Sequence, residues 1–226
     1  MRIYIMGGGK LAYYLVKTLQ FSHHSITVIE QQKDVCERIA NDFDHVMVYH
    51  GDGTTIQMLE EVGCQHADFY IAVTGKDENN LVGCQIAKQR FQVKRTVARV
   101  NNPKNIEMFH LLGIDRVYSS TQILADIIEQ DIDYDGMRVA YSIENTSKAI
   151  VEFSLSPDSD AVGHTLQEYD FPGSSKVVLI TRPDGRVEMP RGDLKMQSGD
   201  TILLICDKDE YDLIWRRMVR SALTEK

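Results

Sequence analysis

Three consecutive glycines, Gly7, Gly8 and Gly9, followed by Lys10, Leu11 and Ala12, lie directly behind a short β-branched run at the start of the chain. The spacing fits G-x-G-x-x-A at the junction of a strand and a helix, the arrangement that presents free backbone N–H groups and the positive end of a helix dipole to a pyrophosphate. Gly7 makes the tight turn, Gly9 lets the backbone approach the phosphates, and Ala12 keeps the helix close to the sheet. Glu30 ends the next strand run about 20 residues further on, where an acidic side chain accepts hydrogen bonds from a ribose diol, with Gln31 beside it. Lys10 offers a point charge to terminal phosphates. Asp52 and Gly53 follow the third strand run, Val73 and Thr74 end the fourth, and Arg99 ends the fifth. All belong to the carboxyl edge of a parallel sheet, where such folds bind their ligands. Asp52 equally suits a helix cap, and Asp77 and Glu78 suit the dipole of the helix they open. The diol preference disfavours NADP. NAD(H), AMP, ADP and ATP all carry the diol and remain open.

The elements that position these residues alternate. Strand candidates at 2–6, 26–30, 45–49, 68–74, 95–100 and 116–118 are separated by stretches of helical spacing, the pattern of a Rossmann-like, doubly wound α/β sheet. Thr54 with Gln57 reads as a capping box, and Asn102–Pro103 as an N-cap and N1 pair. The helix candidate at 121–133 carries Ile123, Leu124, Ile127, Ile128 and Ile132, a stripe suited either to the core or to a subunit interface. Past residue 134 the long helices stop. Strand candidates at 138–143, 149–155, 176–181, 186–189 and 201–206 make a smaller, β-rich α+β domain, so the expected organisation is 1–134 and 135–226. Arg182-Pro183-Asp184-Gly185-Arg186 predicts a hairpin turn. A last helix is expected over 208–222, with Leu213, Ile214 and Val219 packing inward and Arg216, Arg217 and Arg220 near its end.

The net charge of −8 opposes nucleic acid and anionic lipid. No run reaches the ~20 apolar residues of a membrane span, and the start carries no signal peptide. A cytoplasmic protein is expected, reaching the membrane through a partner. Four separated cysteines, with no C-x-x-C pair, suggest reduced thiols and no metal site.

The glycine loop, Glu30, Gly51–Thr54, Ile71–Thr74, Asp77-Glu78-x-Asn80-Leu81 and Ala98-Arg99, with Gly163–Leu166, Val177–Arg182, Pro190-x-Gly192-Asp193 and Gly199-Asp200 behind them, resemble the TrkA/Ktr-type family of potassium-uptake regulators over nearly the whole chain. The resemblance implies an RCK N-domain that binds NAD(H) or an adenine nucleotide, a TrkA-C domain, and homodimers assembling into an octameric ring. It also implies docking on a TrkH/KtrB-like membrane subunit and no catalysis. Cyclic di-AMP is a further ligand that the resemblance suggests for the C-domain. The chain departs from the family at Lys10, where arginine is frequent. It departs again at Ser119–Gln122, which lacks the metal-binding glutamate of ATP-responsive relatives, and at Ala161–Val162, where the relatives that bind cyclic di-AMP carry isoleucines. The alternatives are regulation of a potassium channel or potassium/proton antiporter, or an NAD-dependent oxidoreductase with His50 as its best acid–base candidate.

Overall fold

The computed structural model describes residues 1–143 and 146–219, leaving aside the side chains of Gln130 and Asp133. The chain divides into two compact units, Met1–Leu124 and Ala125–Lys226. In the first, strands β1 (Arg2–Met6), β2 (Ser25–Glu30), β3 (Val46–His50), β4 (Phe69–Ala72), β5 (Arg95–Val100) and β6 (Arg116–Ser119) form one sheet in the order β3-β2-β1-β4-β5-β6. All five pairings are parallel. β1 and β2 are apolar on both faces because helices cover both sides, and so they read as continuous runs rather than alternating ones. The helices of the first unit are α1 (Lys10–Leu19), α2 (Lys33–Asp42), α3 (Ile56–Glu61), α4 (Asp77–Gln89) and α5 (Ile106–Leu111), and α6 (Ser120–Asp133) begins in this unit and continues into the second.

One core layer packs α3, α4 and α5 around Tyr70, Leu59 and Phe109, and the other packs α1 and α2 around Ile5, Val28 and Ile39. Strand order reverses on either side of β1. The loops after β1, β2, β4 and β5 therefore meet at one edge, the switch point at which α/β sheets bind ligands.

The second unit holds a five-stranded antiparallel sheet, β10-β9-β11-β8-β7, built from β7 (Met137–Ser142), β8 (Lys148–Ser154), β9 (Lys176–Thr181), β10 (Val187–Glu188) and β11 (Thr201–Asp207). Val151, Phe153, Ile180, Ile202 and Leu204 are its inward faces. The predicted hairpin forms between β9 and β10. Gly185 takes φ +85°, and Asp184 accepts from the Arg186 N–H at 3.0 Å.

Several local expectations are corrected. Asp52 captures the Thr54 N–H at 2.9 Å and its hydroxyl at 2.7 Å in an Asx turn, so the cap of α3 passes to Thr55, which accepts from the Met58 N–H. The Thr54–Gln57 capping box does not form. Asn102 does cap, accepting from Lys104 N–H at the head of a 3₁₀ turn, Pro103–Asn105, that leads into α5. The α6 stripe is not core: Ile123, Leu124, Ile127, Ile128 and Ile132 are 49–74% exposed. The final helix is irregular, a 3₁₀ turn Lys208–Glu210, then α7 (Tyr211–Ile214), then a π turn Trp215–Val219. Leu213 faces outward while Ile214 and Val219 pack, and Arg216 and Arg217 pair with Asp212 and Asp160. Arg220 and the expected end of that helix at 222 lie outside the described residues.

Candidate functional site: a cleft at the switch point

The loops at this edge enclose a cleft of about 430 Å³. Gly7, at φ +102°, donates its N–H to the Ile29 carbonyl at 2.8 Å. A Cβ on Gly7 would stand 3.1 Å from the Thr74 backbone, so glycine is needed there for conformation and for space. Gly9 caps α1 in extended conformation. No side chain caps this helix and its first turn holds no acid, which leaves its leading N–H groups available to an anion. A Cβ on Gly9 would meet nothing within 4 Å. Lys10 and Leu11 lie exposed at the mouth.

Against the same loop, Glu30 holds two backbone amides: Oε2 accepts from Gly8 at 2.5 Å and Oε1 from Gln32 at 2.8 Å. The Gln31 carbonyl is bonded to the His50 Nε2 at 2.9 Å, and this contact engages the imidazole considered above for proton transfer. Asp52 lines the cleft as well as closing its Asx turn. The Thr54 hydroxyl, helped by the Thr54 N–H and the Gln31 side chain against the opposing effect of burial, holds its carboxyl below the ordinary value. Gly53 sits where a Cβ would come within 2.6 Å of Met6, and the fully buried Tyr70 donates to its carbonyl at 3.1 Å.

Asn80 sets the far wall. It is fully buried. Its Oδ1 accepts from the Thr74 N–H and hydroxyl at 2.9 and 2.7 Å, and its Nδ2 donates to the carbonyls of Thr74 and Arg99 at 3.2 and 2.8 Å. The ends of β4 and β5 are thereby fixed to α4. Arg99 lines this wall, and its Nε is buried with no acceptor among the described residues. Asp77 ties the same region to the next loop through Asn101, Asn102 and Asn105. Burial opposes its ionisation, yet these hydrogen bonds outweigh burial and lower its carboxyl below the usual value.

Of the residues singled out in the sequence, Gly7, Gly9, Lys10, Leu11, Glu30, Gln31, Asp52, Gly53, Val73, Thr74 and Arg99 all border this one cleft. Gly8 does not. It is buried beneath Glu30, where a Cβ would stand 2.7 Å from Val35. Gln32 and Lys76 border the cleft too, without a sequence signal, since exposed polar residues at loop ends carry no pattern; Asn79, in the first turn of α4, borders it as well. Asn80 was visible only as part of a helix start. Its burial is a tertiary fact. The four cysteines are buried, and burial pushes the thiols of Cys64, Cys84 and Cys206 up to about 12, so they are inert at neutral pH. Among the described residues no cluster of His, Cys, Asp and Glu could hold a metal ion, and no helix is long and apolar enough to cross a membrane. In the second unit Ala161 is fully buried and Val162 packs against the same core.

The sequence is 28% identical to a Trk system potassium uptake protein TrkA homolog of Methanothermobacter thermautotrophicus, over 96% of this chain and 99% of that protein. Its identity to the Trk system potassium uptake protein TrkA of Mycobacterium tuberculosis is 27%, over 98% and 100%. It is also 28% identical to TrkA homolog 2 of Methanosarcina mazei across 90% of this chain, but spans only 45% of that longer protein. Among solved structures, the GsuK RCK domain superposes with a TM-score of 0.54 at 22% identity, covering 96% of this chain and 46% of that one. The GsuK channel bound to NAD gives 0.51 at 23%, covering 96% and 38%. GsuK bound to ADP gives 0.51 at 26%, covering 58% and 33%. The family model of the TrkA-N domain matches residues 3–120, just over half the chain, and that of the TrkA-C domain matches 150–217. With a TrkA-N domain that carries this cleft and a TrkA-C domain behind it, the chain belongs to the TrkA family.

Proposed function

We propose that the chain is a regulatory subunit of a potassium uptake system, one that binds NAD(H) or an adenine nucleotide in the switch-point cleft and performs no catalysis. The observation that carries the reading is the uncapped N-terminus of α1, opening through Gly9 onto a cleft that Glu30 also borders, its carboxylate beside the glycine loop. That pairing of an anion site with a diol acceptor is the chemistry of an adenosine diphosphate group. Lys10, Lys76 and Arg99, which border the cleft, add cationic side chains for further phosphate oxygens. Membership of the TrkA family and the NAD and ADP named in the GsuK structures support the same ligand class.

In this reading residues 1–134 form the nucleotide domain and 135–226 the second domain. The exposed α6 stripe joins copies of the chain into dimers, and these into an octameric ring. The ring docks from the cytoplasm on a TrkH/KtrB-like membrane subunit. A bound nucleotide changes ion flux only to the extent that its affinity differs between the two states of the ring. The buried position of Ala161 argues against Ala161–Val162 stacking on cyclic di-AMP.

Thermal-shift titration with NAD, NADH, AMP, ADP, ATP and cyclic di-AMP tests the proposal, because a ligand of the folded state raises the midpoint by mass action. At least one of the first five is expected to shift it, and Glu30→Ala to reduce that shift. A flat response to all of them would refute nucleotide sensing.

A further inference from the structure

The dinucleotide fingerprint requires glycine at its first and second glycine positions and leaves the residue between them free. Here that residue is Gly8, and the geometry shows what its missing side chain permits. A Cβ on Gly8 would stand 2.7 Å from Val35 Cγ1 and 3.0 Å from both Glu30 Cγ and Ile39 Cδ1. Without a Cβ at position 8, the Glu30 side chain lies against the loop with no displacement of Val35 or Ile39. There its Oε2 takes the Gly8 N–H at 2.5 Å while Oε1 takes the Gln32 N–H at 2.8 Å. The Glu30 backbone is fixed as well, since its carbonyl accepts from the Gly51 N–H at 2.9 Å. The carboxylate thus straps the loop between β1 and α1 to the loop between β2 and α2, while the backbone carbonyl of the same residue holds the loop that follows β3.

We infer that Glu30 is a positioning residue for the phosphate loop in addition to its role toward the ribose: it shapes the anion site for ligands that carry no diol at all. The inference rests on the nucleotide-binding reading above and deepens it. The two roles do not compete for the same electrons. An ionised carboxylate offers about four acceptor directions, and the two amides occupy one on each oxygen, which leaves one on each for a diol. The Gly8 N–H is committed to Glu30 and withdrawn from the ligand, so the diphosphate is received by the amides from Gly9 onward. Loss of the strap frees the loop to leave the position in which those amides converge. A charge-assisted bond of this kind contributes enough to shift the loop equilibrium by about tenfold or more.

The test separates the roles by removing the diol from the ligand. Dissociation constants for ADP and 2′,3′-dideoxy-ADP are measured calorimetrically on the full chain and on Glu30→Gln. This substitution keeps the shape but points a donor at one of the two amides. If Glu30 served the ribose alone, dideoxy-ADP would bind both proteins equally, and that result overturns the inference. The expected result is a loss of about tenfold in dideoxy-ADP affinity in Glu30→Gln. Gly8→Ala retains the carboxylate but fills the space beneath it, and is expected to give a comparable loss.

Amide hydrogen exchange on the unmodified, ligand-free chain supplies a measurement that needs no variant. The N–H groups of Gly8 and Gln32 are expected to exchange slowly, although no backbone carbonyl accepts either of them among the described residues. Rapid exchange at both would defeat the strap whatever the variants do. Failure of the unmodified chain to bind ADP together with NAD, NADH, AMP and ATP refutes the nucleotide reading instead, and the exchange rates then decide the strap on their own.

Discussion

The glycines of the loop differ in what a methyl group would do to each. Gly7 combines a positive φ with a Cβ position 3.1 Å from the Thr74 backbone, whereas Gly9 faces open space. Gly7→Ala is expected to destabilise the first unit by about 1–3 kcal/mol. Gly9→Ala should leave stability within about 0.5 kcal/mol and yet weaken nucleotide binding, because the new methyl stands where phosphate approaches. Urea unfolding and ligand titration on the two variants check the contrast. Asn80 carries a larger structural load. Asn80→Leu removes the partners of Thr74 and of the Arg99 carbonyl in a buried setting, so its midpoint should fall by an amount equivalent to about 2–4 kcal/mol at unchanged m-value. Neither Asn80's burial nor Arg99's unpartnered Nε is legible in the chain, since both arise only when β4, α4 and β5 meet.

At the level of elements, the closing turn after β11 is held by charge. Hydrogen bonds from Lys148 first, then from Ser147 and Ser174, lower the Asp207 carboxyl to about 2, and Asp207 and Glu210 cap the following turn with a full capping box. A depressed carboxyl stabilises above its ordinary value and loses that contribution as pH falls through the folded one. Acid unfolding should therefore show a component between about pH 4 and pH 2 that disappears in Asp207→Asn, read from the pH dependence of the midpoint. The raised Lys148 value acts at the other extreme, present at neutral pH and lost only in strong alkali. The central strands β1 and β2 were legible because buried parallel strands are continuous apolar runs. The α3 cap was misplaced by one residue because Asp52 competes for Thr54, and local spacing does not say which of two adjacent threonines an Asx turn will claim. Thr55→Ala, but not Gln57→Ala, should cost about 1 kcal/mol in the same urea assay.

For the whole molecule, two units with separate cores and an exposed apolar helix set the expectations. The α6 isoleucines are at least half exposed or close to it, so charging one of them removes little packing within the chain. If the proposed ring forms through α6, Ile128→Glu lowers the sedimentation coefficient while leaving the far-ultraviolet spectrum intact. Retention of the native assembly state would remove α6 from the interface. An exposed apolar stripe of this length is uncommon on an isolated surface, and its pattern alone suited a core somewhat better than an interface.

By itself the sequence determined the elements and their order, the glycine loop and Glu30 at adjacent strand ends, and the change from alternating α/β to β-rich grammar, because periodicity, turn chemistry and fingerprint spacing are local properties of the chain. Tertiary structure alone decided that Asn80 fixes the far wall, that Gly8 lies beneath Glu30 rather than in the cleft, and that the α6 stripe is left uncovered. Each of these depends on which surfaces meet across long sequence separations, and burial and hydrogen-bond partnership are set by that meeting.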